Sequence, residues 1–578
     1  MATEASAAAA CDVLVIGSGA GGLAAAITAR KAGLSVVVLE KEPYFGGTTA
    51  FSGGILWIPG NPQAVARGIA DSKDAVRRYL RHEAGNHYRA ELVEAFLAHG
   101  PEMLAFFGRE TEVQFTATEY PDYHPDAPGA VARGRSVSAA PYDGRRLGGE
   151  LARLRRPLRT ITFLGMMFNS ANTDLKHFFN ITRSAVSAAY VARRMAVHMT
   201  ELLRHRRGVQ LTSGNALVAR LARSAFDLGI PIRTEAPVRA LLVENGAVVG
   251  AHVAGEVAPV RARRGVVLAC GGFARELPRI AGLYPHLRRG GTHSSPVPDG
   301  NTGDGIRMAE TMGASFEGGF PNAAAWMPVS RVPLGGGRTG VFPHLVDRYK
   351  PGVIMVNRHG RRFCNEANSY HDVGAAMQQT CESGGEGETA AWLIADHRTV
   401  RKYGLGFAKP APMPLGLYTR SGYLLKGGSL RELAARAGID PDGLVTTVRN
   451  FNHGAARGED TEFGRGSTAF NRYLGDADHH PNPCVGPIER GPFYAVKLVM
   501  GDLGTFGGVR TDAFARVLGA AGAPVPGLYA VGNDMSSMMG GAYPGAGITL
   551  GPAMTFGYIA GRHLAGQMAE ASPAPAAA

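Results

Sequence analysis

The sequence predicts an α/β fold in which a Rossmann-like domain is interrupted by a smaller α+β capping domain. Two observations carry this expectation. A β-α-β pattern with a glycine-rich turn opens the chain at Cys11, and similar text, missing between about Arg331 and Met500, returns at 527–559. With 578 residues, 45% of them hydrophobic, the chain can bury cores for two or more domains.

The elements follow in order. Cys11–Ile16 reads as a strand, Leu23–Ala32 as a helix and Ser35–Leu39 as a second strand. Residues 120–149 are rich in Pro, Gly and Arg and read as irregular. Thr182–His205 reads as a long helix closed by Gly208, and Ala216–Leu228 as another. Strands at Val238–Val243 and Val248–Val253 are joined by Glu244-Asn245-Gly246 as a hairpin, and Gly265–Cys270 is a further strand. The Rossmann-like domain is therefore expected at 11–330, with a helical insertion at about 150–208, and again at 501–570; the capping domain takes 331–500. Residues 1–10 and 571–578 are tails of small residues with nothing to bury, expected to be disordered.

Composition narrows the function. No apolar run is long enough to span a bilayer, and no basic region precedes an apolar start as in a secretory signal. The five cysteines are scattered and never spaced CxxC, which points to a reducing, cytoplasmic compartment without metal or disulfide. The 18 histidines show no ligand spacing, and Gly300–Gly305 carries one acid where a calcium loop needs several. The net charge of +13 is spread along the chain, which reads as a basic surface and not as a nucleic-acid interface.

The turn Gly17-Ser18-Gly19-Ala20-Gly21-Gly22 follows the first strand and opens the first helix, as a dinucleotide fingerprint requires. Gly17 permits the turn, Gly19 lets backbone approach a diphosphate, Gly22 allows close packing, and the helix start at Ala20 offers N–H groups to the anion. Glu40 ends the second strand, where it can accept from a ribose diol.

The text Glu40-Lys41-Glu42-Pro43, Gly46-Gly47-Thr48-Thr49 and Ser52-Gly53-Gly54, with Val267–Phe273 and Gly527–Asp534, resembles the fumarate reductase and 3-ketosteroid dehydrogenase flavoprotein superfamily over nearly the whole chain. The resemblance implies FAD. Lys41, Gly47, Thr48, Thr49, Ser52, Gly53 and Gly54 would wrap the flavin, and Val238 would meet the adenine through its backbone. Gly271, Gly272, Asn533, Asp534, Gly547, Ile548 and Leu550 would complete the site, and Asp304 would start a helix beside it. Gly46–Gly54 contains no histidine, so the FAD is expected to be non-covalent.

The fumarate reductases place an arginine after an Asn-Glu pair; here Asn365-Glu366 leads to Tyr370, and the carboxylate-binding histidine is missing from Gly501–Gly508. A dicarboxylic acid is thereby disfavoured. The same positions are similar to the 3-ketosteroid dehydrogenases, and Tyr543-Pro544-Gly545-Ala546-Gly547 matches their C-terminal motif. That resemblance makes Tyr370 the base for the α-proton, with Tyr543 and the Gly547 N–H as an oxyanion hole, while the flavin N5 accepts hydride from the β-carbon. A free phenol with a pKa of about 10 is a poor base at neutral pH. The family supplies a second tyrosine to help it, here Tyr123 upstream of Gly134-Arg135-Ser136, with Tyr120 as the reserve. His124, His344 and His371 are expected along the substrate cleft.

The leading expectation is 3-ketosteroid 1-dehydrogenation of a hydrophobic ketone, with an electron acceptor that the sequence does not identify. Desaturation of smaller cyclohexanones and 4-dehydrogenation of steroids are the alternatives, and a flavin-binding electron carrier is the alternative of another class. The helix near 182–207 combines apolar residues with Arg193, Arg194, Arg204, Arg206 and Arg207. It suits a helical hairpin packed on the flavin domain, or peripheral contact with an anionic membrane.

Overall fold

The computed structural model describes residues 10–168, 174–383 and 387–568, so both expected tails, apart from Ala10, lie outside it. Strand β1 (Ala10–Ile16) leads through the glycine turn into helix α1 (Ala20–Lys31), and β2 (Val36–Leu39) returns parallel to β1 with Val13 opposite Val36. On the other side β1 pairs with β3 (Val260–Leu268), which pairs with β4 (Pro524–Ala530), all parallel. These strands are runs of Val, Leu and Ile because helices cover both faces of a parallel sheet. The hairpin Val238–Glu244 and Ala247–Val253 turns at Asn245-Gly246, both with positive φ (50° and 77°), and pairs antiparallel with the edge of β3. Two positive φ values are what a two-residue hairpin turn demands.

A second sheet is antiparallel throughout. Its central strand, Phe493–Thr505, is flanked by Ala324–Pro333 and Ala390–Asp396, with Thr339–Pro343 and Val353–Val356 outermost and Leu425–Gly427 paired alongside. It is thus built from residues 324–505.

Three local expectations shift. Helix α2 spans Ala185–His205: the Ser184 side chain accepts from the Ser187 N–H and caps its start, and Arg206 in a left-handed conformation ends it ahead of Gly208. The next helix begins at Ser213. Within 120–149, Ser136–Ala139 forms a strand between Ile55–Trp57 and Phe115–Ala117, and a 3-10 helix starts at Gly144. That strand depends on partners distant in sequence, which a local pattern cannot display. Helix α3 (Tyr370–Ser383) lies against Ala324–Pro333, and α4 (Leu550–Leu564) packs against α1.

Candidate active site

One cavity runs from the start of α1, along Gly47–Gly54, to a cluster of tyrosines between the two sheets. Gly17 turns with φ of 111°, and a Cβ there would stand 2.1 Å from the Ala269 carbonyl oxygen, so this turn excludes any side chain. Beside it Gly19 lines the channel, where a Cβ would meet the Thr49 hydroxyl at 3.6 Å. Glu40 is held by the Ser18 hydroxyl, which donates to Oε2 at 2.5 Å, and by the Glu42 N–H, which donates to Oε1 at 3.0 Å. Its carboxylate keeps lone pairs for a diol.

The structure brings most of the expected cofactor residues to this cavity: Gly17, Gly19, Ala20, Gly22, Glu40, Lys41, Gly47, Thr48, Thr49, Ser52, Gly53, Gly54, Val238, Gly271, Asp304, Asn533, Gly547 and Leu550 all line it. Gly272, Asp534 and Ile548 do not. The buried Asp534 carboxylate instead accepts from the N–H groups of Cys270 (2.6 Å) and Gly272 (2.9 Å), behind the wall. It buttresses the loop after β3. Lys41 and Asp304 meet each other, Nζ to Oδ2 at 2.5 Å, which locks the start of the Asp304–Glu310 helix to the end of β2. Asn301, which sequence reasoning missed, donates to the Thr48 hydroxyl (2.9 Å) and the Gly271 carbonyl (3.0 Å) and lines the cavity. The glycine cradle, the carboxylate at the end of β2 and the helix start fit the dinucleotide half of FAD.

At the other end three buried tyrosines form a triangle. The Tyr123 and Tyr543 rings stack at 5.7 Å and 11°, and Tyr370 stands edge-on to both, 5.9 Å from Tyr123 and 5.0 Å from Tyr543. The Tyr123 and Tyr370 hydroxyls are 3.5 Å apart. Burial pushes all three phenols above their ordinary range. Tyr120 also lines the cavity but turns its ring onto Tyr473 at 4.5 Å, so Tyr123 is the partner of Tyr370. Gly547 has φ of 98°, and a Cβ there would lie 2.5 Å from the Ile55 carbonyl oxygen. Its backbone therefore sits in the floor of the site, where a side chain could not.

Each tyrosine is held by its neighbours. The Pro544 carbonyl accepts from the Tyr123 N–H (2.9 Å) and the Tyr79 hydroxyl (2.7 Å), which ties the loop of Tyr543 to that of Tyr123. The irregular loop is ordered by a buried ion pair: Arg135 Nη1 donates to Asp122 at 2.7 Å, and Trp57 Nε1 donates to the same carboxylate at 2.9 Å. The Ser136 hydroxyl adds a bond to the Ala546 carbonyl, 2.8 Å. Tyr370 starts α3 just after Glu366, whose buried carboxylate takes Arg362 (2.7 and 2.8 Å) and Arg465 (3.2 Å). The Asn-Glu pair is thus the footing of Tyr370 and lies outside the cavity.

None of the three histidines expected along the cleft lines it. His344 is buried against Asp347 and Ser330, and His371 accepts the Trp326 N–H on Nδ1. Burial lowers His371 to about 4, so it is neutral. His124 lies between Glu83 (Nδ1, 2.7 Å) and Asp372 (Nε2, 2.9 Å), which pins the Tyr123 loop to α3. Burial alone would lower its pKa, but hydrogen bonds and charge from Asp372 and Glu83 raise it to about 10. A folded pKa above the unfolded value of about 6.5 stabilises fully below that value and is lost as pH rises toward 10. His124→Gln is therefore expected to flatten the fall of melting temperature between pH 7 and 10. An unchanged slope in thermal melts of the yellow protein would refute the ion pair.

A model of the FAD binding domain family matches residues 12–550. The chain is 44% identical over 559 residues to the 4-oxocyclohex-2-ene-1-carboxylate 5-dehydrogenase of Sinomonas cyclohexanicum, covering 96% of this chain and 94% of that one. It is 38% identical over 569 residues to the 3-oxosteroid 1-dehydrogenase of Mycobacterium tuberculosis, covering 96% and 98%. The crystal structure of 3-ketosteroid delta1-dehydrogenase from Sterolibacterium denitrificans, in complex with 1,4-androstadiene-3,17-dione, superposes with a TM-score of 0.87 at 35% identity, covering 97% of this chain and 100% of that one.

Proposed function

The chain belongs to the FAD binding domain family of flavoproteins, as an FAD-dependent oxidoreductase that dehydrogenates the CH–CH group of cyclic ketones, and from that premise we propose that its substrate is an extended, uncharged ketone of the 3-ketosteroid type, desaturated at the 1-position. The observation that carries this reading is the wall beyond the tyrosines. Tyr120, Leu158, Ile161, Pro343, Leu345 and Leu474 line it. Among the described residues the cations lining the cavity are Lys41, which is bonded to Asp304, and Arg155, which lies beside Glu42 and Phe51. A fused hydrocarbon skeleton gains roughly 25 cal/mol per Å² on such a wall, whereas a carboxylate buried there without a partner is strongly penalised.

In this reading the Tyr543 hydroxyl and the Gly547 N–H hold the ketone oxygen, and their hydrogen bonds strengthen as it gains enolate charge. Tyr370 takes the α-proton, and Tyr123 hydrogen-bonds the Tyr370 oxygen so that the phenolate is not left unsolvated. A bound FAD supplies the two-electron oxidant that takes the β-hydrogen with its electron pair. Gly46–Gly54 offers no His, Cys or Tyr for attachment, so the FAD is held non-covalently. An external acceptor must then reoxidise it.

A second reading, a small ring ketone carrying a carboxylate, is favoured by the 44% identity to the Sinomonas enzyme and would use the same tyrosines. Anaerobic mixing of the yellow protein with androst-4-ene-3,17-dione, cyclohexanone or 4-oxocyclohexanecarboxylate separates the two. Fastest bleaching by the steroid is expected; bleaching by the carboxylate alone would install the second reading, and bleaching by none would sink both.

Peripheral membrane contact goes with a lipid-soluble substrate. On α2, Val186, Met199 and Leu203 are 73%, 46% and 82% exposed, Arg193, Arg204 and Arg206 lie beside them, and the helix's one acid, Glu201, is buried. Arg207 is buried and donates to the Leu151 and Leu154 carbonyls, so it takes no part in this face. Among the described residues no helix is long and apolar enough to cross a membrane. Salt-sensitive pelleting with phosphatidylglycerol vesicles is expected, and no pelleting at low salt would rule this contact out.

A further inference from the structure

We propose that Arg155 is an anion clamp for the diphosphate of FAD, supplied from the strap that follows the 3-10 helix at 144–153 and not from the glycine turn. The inference rests on the cofactor and is independent of which ketone is oxidised.

The position is built. The Arg155 N–H donates to the Phe45 carbonyl at 3.0 Å, and Asn215 Nδ2 donates to the Arg155 carbonyl at 2.8 Å. These bonds fix the backbone under the Gly46–Phe51 segment. The side chain, 12% exposed, lines the cavity with its guanidinium carbon 5.8 Å from the centre of the Phe51 ring. Nε and Nη2 are buried and have no hydrogen-bond partner, and Glu42 Oε2 is 3.7 Å from Nη2, too far for a bond. Arginines in contact with the same strap are hydrogen-bonded. Arg153 donates to Glu150, the Ile232 carbonyl and Thr234, and Arg207 to the Leu151 and Leu154 carbonyls and Asn215. Both atoms are closed off by protein, so the guanidinium must turn to bring its unmet N–H groups to an acceptor in the cavity, which would offset the cost of leaving them unpaired.

Charge identifies the acceptor. Glu40, Glu42 and Asp304 line the channel, and Lys41 is spent on Asp304 at 2.5 Å. The start of α1 offers about half a positive charge, and its Ala20 N–H is already taken by the Thr49 hydroxyl at 3.0 Å. A diphosphate entering this acidic channel needs a further cation, and Arg155 is the one among the cavity-lining cations not hydrogen-bonded to a carboxylate. Its planar fork suits two phosphate oxygens at once.

The test is FAD retention by the holoprotein, followed as free-flavin fluorescence on serial dilution at several NaCl concentrations. R155Q is expected to raise the FAD dissociation constant about 10- to 100-fold and to flatten its salt dependence. R155K should recover part of the affinity and of the salt slope. With excess FAD, KM for cyclohexanone and for 4-oxocyclohexanecarboxylate should stay at the wild-type values. Wild-type FAD retention by R155Q overturns the assignment, and if KM then rises for 4-oxocyclohexanecarboxylate alone, the anion is a substrate carboxylate. Equal FAD loss from R155K and R155Q with an unchanged salt slope also overturns it, leaving Arg155 as packing against Phe51.

Discussion

A Tyr370→Phe variant is expected to stay yellow and folded while its flavin is bleached by ketone about 10² to 10⁴ times more slowly than in the wild type. The phenyl ring preserves the edge-on packing against Tyr123 and Tyr543, so the loss isolates the hydroxyl. The pH dependence carries the sharper signature. Burial holds the phenol above its ordinary range, so the phenolate is scarce at pH 7 and the wild-type rate should climb as pH rises. Removing the hydroxyl removes that climb. A variant that retains the alkaline rise, measured as the anaerobic rate of flavin bleaching, would place the base elsewhere.

Tyr543→Phe should slow the same step by about 10² to 10³, the usual effect of deleting one oxyanion donor. Its stacking on Tyr123 at 5.7 Å needs only the ring, and the loop stays tied through the Pro544 carbonyl. Because Tyr370 remains, this variant should keep the alkaline rise of the wild type at a lower rate throughout. The two substitutions thus differ in the shape of the pH profile as well as in size, and identical profiles would contradict the division of labour between acid-base group and oxyanion donor.

The parts of the site that lie on contiguous, patterned text were legible. The strand, glycine turn and helix around Gly17 announce themselves within a few residues, because a parallel strand must be apolar and the turn admits no side chain. Tyr543 and Tyr370 were legible through motifs that flank them. Tyr123 and Tyr120 sit in the same irregular loop, and what separates them is the direction in which Asp122, Arg135 and Trp57 turn that loop, which depends on residues far apart in sequence. Asp534 is the opposite case. A carboxylate just after the last strand of the Rossmann-like sheet reads as a cofactor ligand, yet it faces two backbone amides behind the wall. Pattern identifies such a residue without showing which side of the backbone it occupies. Arg155 carried no signal at all, since an arginine gains meaning here from the carbonyls and carboxylates it fails to reach.

The tyrosine triangle has an origin that limits how the protein can work. Tyr123 and Tyr543 are fastened to one another through Pro544, on the side of the glycine turn, whereas Tyr370 begins a helix that lies against the antiparallel sheet. The His124 contacts with Glu83 and Asp372 join those two sides, so the proposed proton acceptor and the proposed oxyanion donor come from separate parts of the fold that this ion pair holds in register. The two roles can therefore be perturbed separately, from the loop side and from the helix side.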